Sequence, residues 1–258
     1  MSAVLLVLVV VVAVGIVLAV VGSSRASGNR AAASLADAKA DARRAIDRLG
    51  GQVFNLAGTD DASKQALADA SERYTAASSQ IEQASSVRQA QLAKQSAMEG
   101  LYYARAARSA MGMDPGPELE SLAGQRSAGA VTEDRRVQVE GRQIEASASP
   151  SQRTPNYFPG GQVAGRPVPA GWYSEPWWKP ALIGGAWGIG SALLFDALFS
   201  GMHGVGYGAG GFENGYGQGF DSGYDDGFDT GQAPDSGGWD AGGWGDFGGS
   251  DFGGGGDF

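Results

Sequence analysis

Residues 171–201, GWYSEPWWKPALIGGAWGIGSALLFDALFSG, decide the fold. They begin in aromatics and prolines and run into nineteen mostly apolar residues, 181–199, interrupted late by Asp196. A helix of that length measures about 28 Å, close to the hydrocarbon thickness of a bilayer. Trp172, Tyr173, Trp177 and Trp178 then read as an aromatic belt at the water–lipid boundary. Lys179 reads as a further interfacial anchor, and Pro180 as a residue of the first helical turn. The expectation is a domain of aromatic belt plus second transmembrane segment over 171–200. Four glycines between 184 and 190 weaken a helix, which leaves a re-entrant or membrane-surface hairpin as the alternative.

Asp196 is the sixteenth of the nineteen residues. An acid at a bilayer centre costs about 2.5–3.5 kcal/mol, but near the end of a span it reaches the interface. It reads either as an interfacial acid without a task or as a proton or ion relay. Gly184, Gly188, Ala192, Asp196 and Ser200 recur at every fourth position, a small-residue strip that lets helices approach closely. Gly15 and Ala19 repeat the spacing near the N-terminus, so the two strips are expected to pack on each other or to join two copies.

Gly15 and Ala19 lie in AVLLVLVVVVAVGIVLAVV, residues 3–21, again nineteen apolar residues. A cleaved signal peptide needs a basic leader, a shorter apolar run and a small-x-small cleavage site. Only Met1 and Ser2 precede this run, and Arg25 spoils the nearest cleavage candidate, so residues 1–24 are expected to be a transmembrane anchor. Arg25, Arg30, Lys39, Arg43, Arg44 and Arg48 follow it, and Lys179 precedes the second span. This bias places the helical region in the cytoplasm and both the N-terminus and the C-terminal tail outside. The expected localisation is therefore the cell membrane, crossed twice.

Between the spans, residues 28–112 read as a helical coiled-coil bundle. Leu35, Ala42, Leu49 and Leu56 share one heptad seam with Lys39, Ile46 and Val53, and Gly50 with Gly51 suggests a kink. AGTDDASKQ reads as a turn, with Thr59 or Asp60 capping the next helix. Leu67, Tyr74 and Ile81 then alternate with Ala70, Ala77 and Ala84, and a break is expected near Ser85 and Ser86. Leu92, Met98, Leu101 and Tyr102 form a further patch before GMDPGPE stops the helix. A two- or three-helix antiparallel bundle burying its own seam competes with an intermolecular coiled coil. Arg105 and Arg108 with Tyr102 and Tyr103 read as a solvated helix end or a partner face.

Residues 113–170 form a Pro/Gly/Ser-rich linker. Within it RRVQVEGRQIEAS alternates about Glu140 and Gly141 as a short β-hairpin. TPNYFPGGQVAGRPVPAGWYSEPWW is too rich in Pro and Gly to suggest regular structure.

Residues 201–258 hold 23 of the 43 glycines, ten acids and no base, so the net charge of −9 belongs to this tail. From Gly211 it reads GFEN GYGQ GFDS GYDD GFDT, with Phe212, Tyr216, Phe220, Tyr224 and Phe228 in step. Such composition is expected to be disordered, either as a passive hydrophilic tail or as a string of weak multivalent contacts. With no basic stripe, nucleic acid is not an expected partner. There is no Cys, and His203 is the only His. Gly206, Gly208 and Gly211 match a dinucleotide fingerprint without the strand and helix it needs, and DSGYDDGFDTGQ departs from a calcium loop at Asp226 and Gln232. No catalytic residue, metal site or cofactor is expected, and the chain does not read as an enzyme.

The order of parts, with DPGPEL, TPNYFPGG and GRPVPAGWYSEPWWKP between an apolar N-terminus and a Gly-rich tail, resembles membrane proteins of actinobacteria to which no activity is assigned. The resemblance implies a place in the bacterial envelope. The expected fold class is mainly α: a membrane-anchored helical hairpin or coiled coil with two hydrophobic spans, a small β-hairpin and a disordered tail. The expected function is a structural scaffold or interaction protein, with partners among the lipid bilayer, other membrane or envelope proteins and a second copy. An accessory subunit of a transport or secretion complex using Asp196 is the alternative.

Overall fold

A computed structural model describes the backbone of residues 2–139 and 141–215, and side chains from residue 29 onward within those ranges. The expected tail lies outside the described residues from position 216. So do the side chains of Gly15 and Ala19.

Three helices come first: α1 (Ser2–Asn55), α2 (Asp61–Gln83) and α3 (Val87–Ala110). The turn before α2 and the break before α3 sit where the capping residues place them. Asp60 accepts from the Ser63 backbone N–H at 2.8 Å while Ser63 Oγ accepts from the Asp60 N–H at 3.1 Å, a reciprocal capping box. Ser86 Oγ accepts from the Gln89 N–H at 3.2 Å.

Residues 35–55 of α1 pack with α2 and α3 around an alanine-rich seam. Ala70, Ala77 and Ala84 of the α2 side and Ala90, Ala93 and Ala97 of α3 are buried with Ala42, Ile46 and Leu49 of α1. The seam therefore closes within one chain, as a three-helix bundle. Leu92, read as part of a further patch with Met98, Leu101 and Tyr102, is exposed.

Gly50 and Gly51 do not interrupt α1, which is helical through both. Gly50 serves packing instead: a methyl group there would stand 2.9 Å from Tyr74 Cε2. Gly100 on α3 is tighter still, since a methyl group there would run into the Leu49 side chain.

The second half departs furthest from expectation. The hairpin β1 (Arg135–Val139) and β2 (Arg142–Ser147) forms as read. The Pro/Gly-rich run beyond it also forms strands: β3 (Asn156–Phe158), β4 (Gly161–Val163), β5 (Arg166–Val168) and β6 (Gly171–Tyr173). Four of the six build an antiparallel sheet in the order β1-β2-β6-β3, while β4 and β5 pair separately. A short helix, α4 (Gln125–Ala128), precedes the sheet. The helices α5 (Lys179–Gly184), α6 (Ser191–Phe199) and α7 (Ala209–Glu213) follow it.

Side-chain alternation makes the sheet a middle layer. Trp172, paired with Tyr157, packs on Ala62, Ala66, Ala106 and Ala107 of the bundle. On the other face Tyr173, Ile144, Ala146 and Phe158 join Phe195, Leu198, Phe199 and Phe212 in an aromatic core.

Among the described residues, no helix is long and apolar enough to cross a membrane. The membrane-anchored hairpin with two spans is corrected accordingly, together with the membrane and transmembrane assignments and the two-span cell-membrane localisation. In the second span the reason is physical. Gly185 takes a left-handed φ of +69° and ends α5 by donating its N–H to the Ala181 carbonyl, and Gly190, at +88°, precedes α6. What reads as nineteen apolar residues is thus two short helices of six and nine residues. The apolar content goes into a protein core. In α6 Leu194, Phe195, Leu198 and Phe199 are buried while Leu193, Asp196 and Ser200 face outward, an amphipathic pattern.

Candidate functional site

The expected site residues scatter. Gly184 closes α5, Gly188 lies in the connecting loop and Ala192 begins α6, so they do not form one strip along one helix. Asp196 is exposed on α6. Of the interfacial anchors, Trp172, Tyr173 and Trp178 are buried. Lys179 faces α2, with its Nζ 3.8 Å from Asp69 and 3.9 Å from Glu72. Arg105 and Arg108 hold a loop. Arg105 Nη1 donates to the Pro117 carbonyl at 2.6 Å and Arg108 Nε to the Asp114 carbonyl at 2.6 Å, which straps residues 113–117 onto α3.

Lys179 belongs to a polar cleft between α2 and the sheet lobe, of about 30 Å³, lined by Asp69, Glu72, Arg73, Tyr103 and Asn156. Arg73 pairs with Glu99 at 3.2 Å behind it. Burial raises the carboxyl pKa values of Asp69 and Glu99, against the lowering pull of Gln65 and Lys179 on the first and of Arg73 on the second. Burial also pushes the Tyr103 hydroxyl well above its ordinary range, and the Glu99 charge adds to it. Asn156 Nδ2 donates to the Ser174 carbonyl at 2.9 Å and the Tyr173 carbonyl at 3.1 Å, so its amide nitrogen is engaged. A space for about one water among groups already paired with one another suits a joint between two layers. Sequence periodicity could not find it, because Glu99 and Lys179 come from segments with no common pattern.

A larger concavity lies beside Trp177. It is a groove of about 300 Å³, walled by Val139, Pro176, Trp177, Pro180, Trp187 and Ile189. Arg142 and Glu175, ion-paired at 3.0 Å, stand at its rim. Trp187 is fixed from behind, donating its indole N–H to the Val163 carbonyl at 3.0 Å. Its ring meets Trp177 at 5.6 Å and Phe212, edge to face, at 5.0 Å. Trp177 has a buried indole N–H with no acceptor among the described residues. Beside the groove Ile183 is 79%, Ile189 103% and Leu193 72% exposed, a concentration of large apolar side chains in solvent.

No cluster of His, Cys, Asp or Glu suited to a metal ion occurs among the described residues. His203 is exposed. The chain matches no known protein family, no curated protein and no solved structure. The resemblance to actinobacterial membrane proteins accordingly rests on the quoted strings alone.

Proposed function

We propose that this chain is an interaction protein, a scaffold that docks an extended peptide segment bearing an aromatic side chain in the groove between α5 and α6. The observation that carries the reading is the Trp177 and Trp187 groove, opening beside exposed Ile183, Ile189 and Leu193. Exposed single apolar residues are ordinary, but several large ones on the segments that line a concavity mark a place where another surface is buried. Two features suit a peptide. The walls are indole and proline faces, which recognise ring and backbone without demanding charge. The volume, at the lower end of the roughly 300–1,000 Å³ of small-ligand pockets, takes one ring and a short stretch of backbone.

Tryptophan fluorescence of the full chain, titrated with short peptides, tests this. The set comprises an acidic aromatic, a basic aromatic and a proline-rich probe, each with an Ala-for-aromatic control. A saturable change with an aromatic probe that disappears in Ile189→Asp is the expected result. If every probe fails to saturate, or Ile189→Asp responds as the parent does, the groove is not a docking site.

A further inference from the structure

The tail repeat GFEN GYGQ GFDS GYDD GFDT begins inside the described structure, and its first member shows how this lobe holds such a unit. Phe212, the aromatic of GFEN, is fully buried on α7. Its ring stacks on Phe195 at 4.4 Å with 11° between the planes and meets Trp187 edge to face. The Arg166 guanidinium lies 5.1 Å above it and also covers Trp187, at 5.8 Å. The neighbouring Glu213 stays at the surface. The recognition elements are thus a ring slot made of Trp and Phe, an arginine face, and room for the acid that follows the ring.

The groove shares Trp187 with that slot and adds a second indole, Trp177. Trp177 and Trp187 wall it, Arg142 stands at its rim, and Ser191 in its lining accepts from Arg166 Nη1 at 3.2 Å. Four further repeats follow Phe212, at Tyr216, Phe220, Tyr224 and Phe228, and their segment carries Asp221, Asp225, Asp226 and Asp229 without a base. The aromatic rings of these repeats are complementary to the two indole walls, while the rim itself is a neutral Arg142–Glu175 pair. Glycine before every ring lets the backbone come close.

We infer that the groove of one chain receives an aromatic–acidic repeat from residues 216–230 of a second copy. This rests on the groove being a peptide-docking site and names its occupant. With four repeats beyond Phe212 against one such groove among the described residues, each chain offers more ligands than it can accommodate. Docking between copies therefore extends to assemblies whose size grows with concentration.

The absence of cysteine makes the test clean. Full-length Ile189→Cys and full-length Ser222→Cys, carrying different affinity tags, are mixed and oxidised. Glu82→Cys, on the exposed side of α2 far along the chain, replaces Ile189→Cys in the control. In parallel, sedimentation velocity over a concentration series compares the parent with a chain in which Tyr216, Phe220, Tyr224 and Phe228 are all Ala.

The expected result is a disulfide between differently tagged chains at 189 but not at 82. Self-association is expected to weaken by roughly thirtyfold or more in the tail variant, the loss that follows truncation of a hot-spot aromatic. Equal crosslinking at both positions overturns the inference. So does the lack of any bridge between the Ile189→Cys and Ser222→Cys chains, or self-association indifferent to the four rings. A groove that binds the proline-rich probe but none of the tail repeats overturns the inference and leaves the docking reading standing. A groove that binds nothing removes both.

Discussion

The helical bundle and the sheet lobe bury apolar surface in opposite ways. In the bundle the seam is alanine, and Gly50 and Gly100 sit where neighbouring side chains press closest. Cohesion there comes from many small contacts at short range, each worth little alone. In the lobe a few large rings, Tyr173, Trp178, Phe195, Phe199 and Phe212, fill one core and touch each other edge-on or stacked. The contrast predicts opposite vulnerabilities: the lobe fails when a side chain is removed, the bundle when one is added.

Phe195→Ala attacks the lobe at its centre, where the ring contacts Phe199, Tyr207 and Phe212. A loss of about 3–5 kcal/mol is expected by urea denaturation. A cost below about 1 kcal/mol would mean the aromatic core is loosely held.

In the bundle the paired substitutions Gly100→Ala and Gly51→Ala sharpen the contrast, because the added methyl is the same. At Gly100 it collides with Leu49, and about 1–3 kcal/mol of stability should be lost to overpacking. At Gly51 nothing lies within 4 Å, and the better helix former should stabilise by roughly 0.5–1 kcal/mol. Thermal melts of both variants beside the parent give the two signs directly.

The seam between the two regions has its own pH signature. Asp69 and Glu99 have folded pKa values above their ordinary ones, so the folded chain takes up their protons first. Stability should therefore rise as pH falls from neutral through that elevated range, with the gain complete at the ordinary carboxylate values. Below that point the trend reverses. Asp60 is held low by the Ser63 backbone N–H and side chain. Glu145 feels some desolvation, but Arg136, Gln143 and Arg153 more than offset it. Both lose their contribution as pH falls through their depressed values. Denaturation across a pH series should thus show a maximum on the acid side of neutral, and Asp69→Asn should flatten its neutral flank.

The smallest effect is expected at Asp196→Asn. On the exposed face of α6 it should shift stability by less than about 0.5 kcal/mol. A larger change in the melting midpoint would give this acid a role that its exposure does not suggest.

The bundle was largely legible in the residues, since heptad spacing survives without knowledge of partners. The cap expected at Thr59 or Asp60 falls on Asp60, the break expected near Ser85 and Ser86 is there, and Ala70, Ala77 and Ala84 fall on the buried seam as their seven-residue spacing requires. The helix penalty of Gly50 was legible there, but not the Tyr74 ring that presses on the space a side chain would fill. The sheet was not legible beyond its hairpin. Strands β3 to β6 are three residues long, too short for alternation to rise above noise, and their Pro and Gly content argues against strands. The apolar run at 181–199 was ambiguous in kind. Hydropathy reports how much apolar surface must leave water, not whether lipid or Tyr173 and Phe212 receive it. The groove needed the fold itself, because Val139, Trp177 and Ile189 meet only when the hairpin, α5 and the 185–190 loop converge.

Trp172 and Tyr173 are adjacent yet serve different layers, one facing the bundle and the other the rings beneath α6. Gaining or losing a single residue inside β6 would exchange them, presenting a phenol where the alanines expect an indole and leaving the ring cluster to close around the wrong shape. Drift in chain length should therefore be confined to the exposed bends, such as 148–153 and 164–165, while the strand between the layers keeps its count.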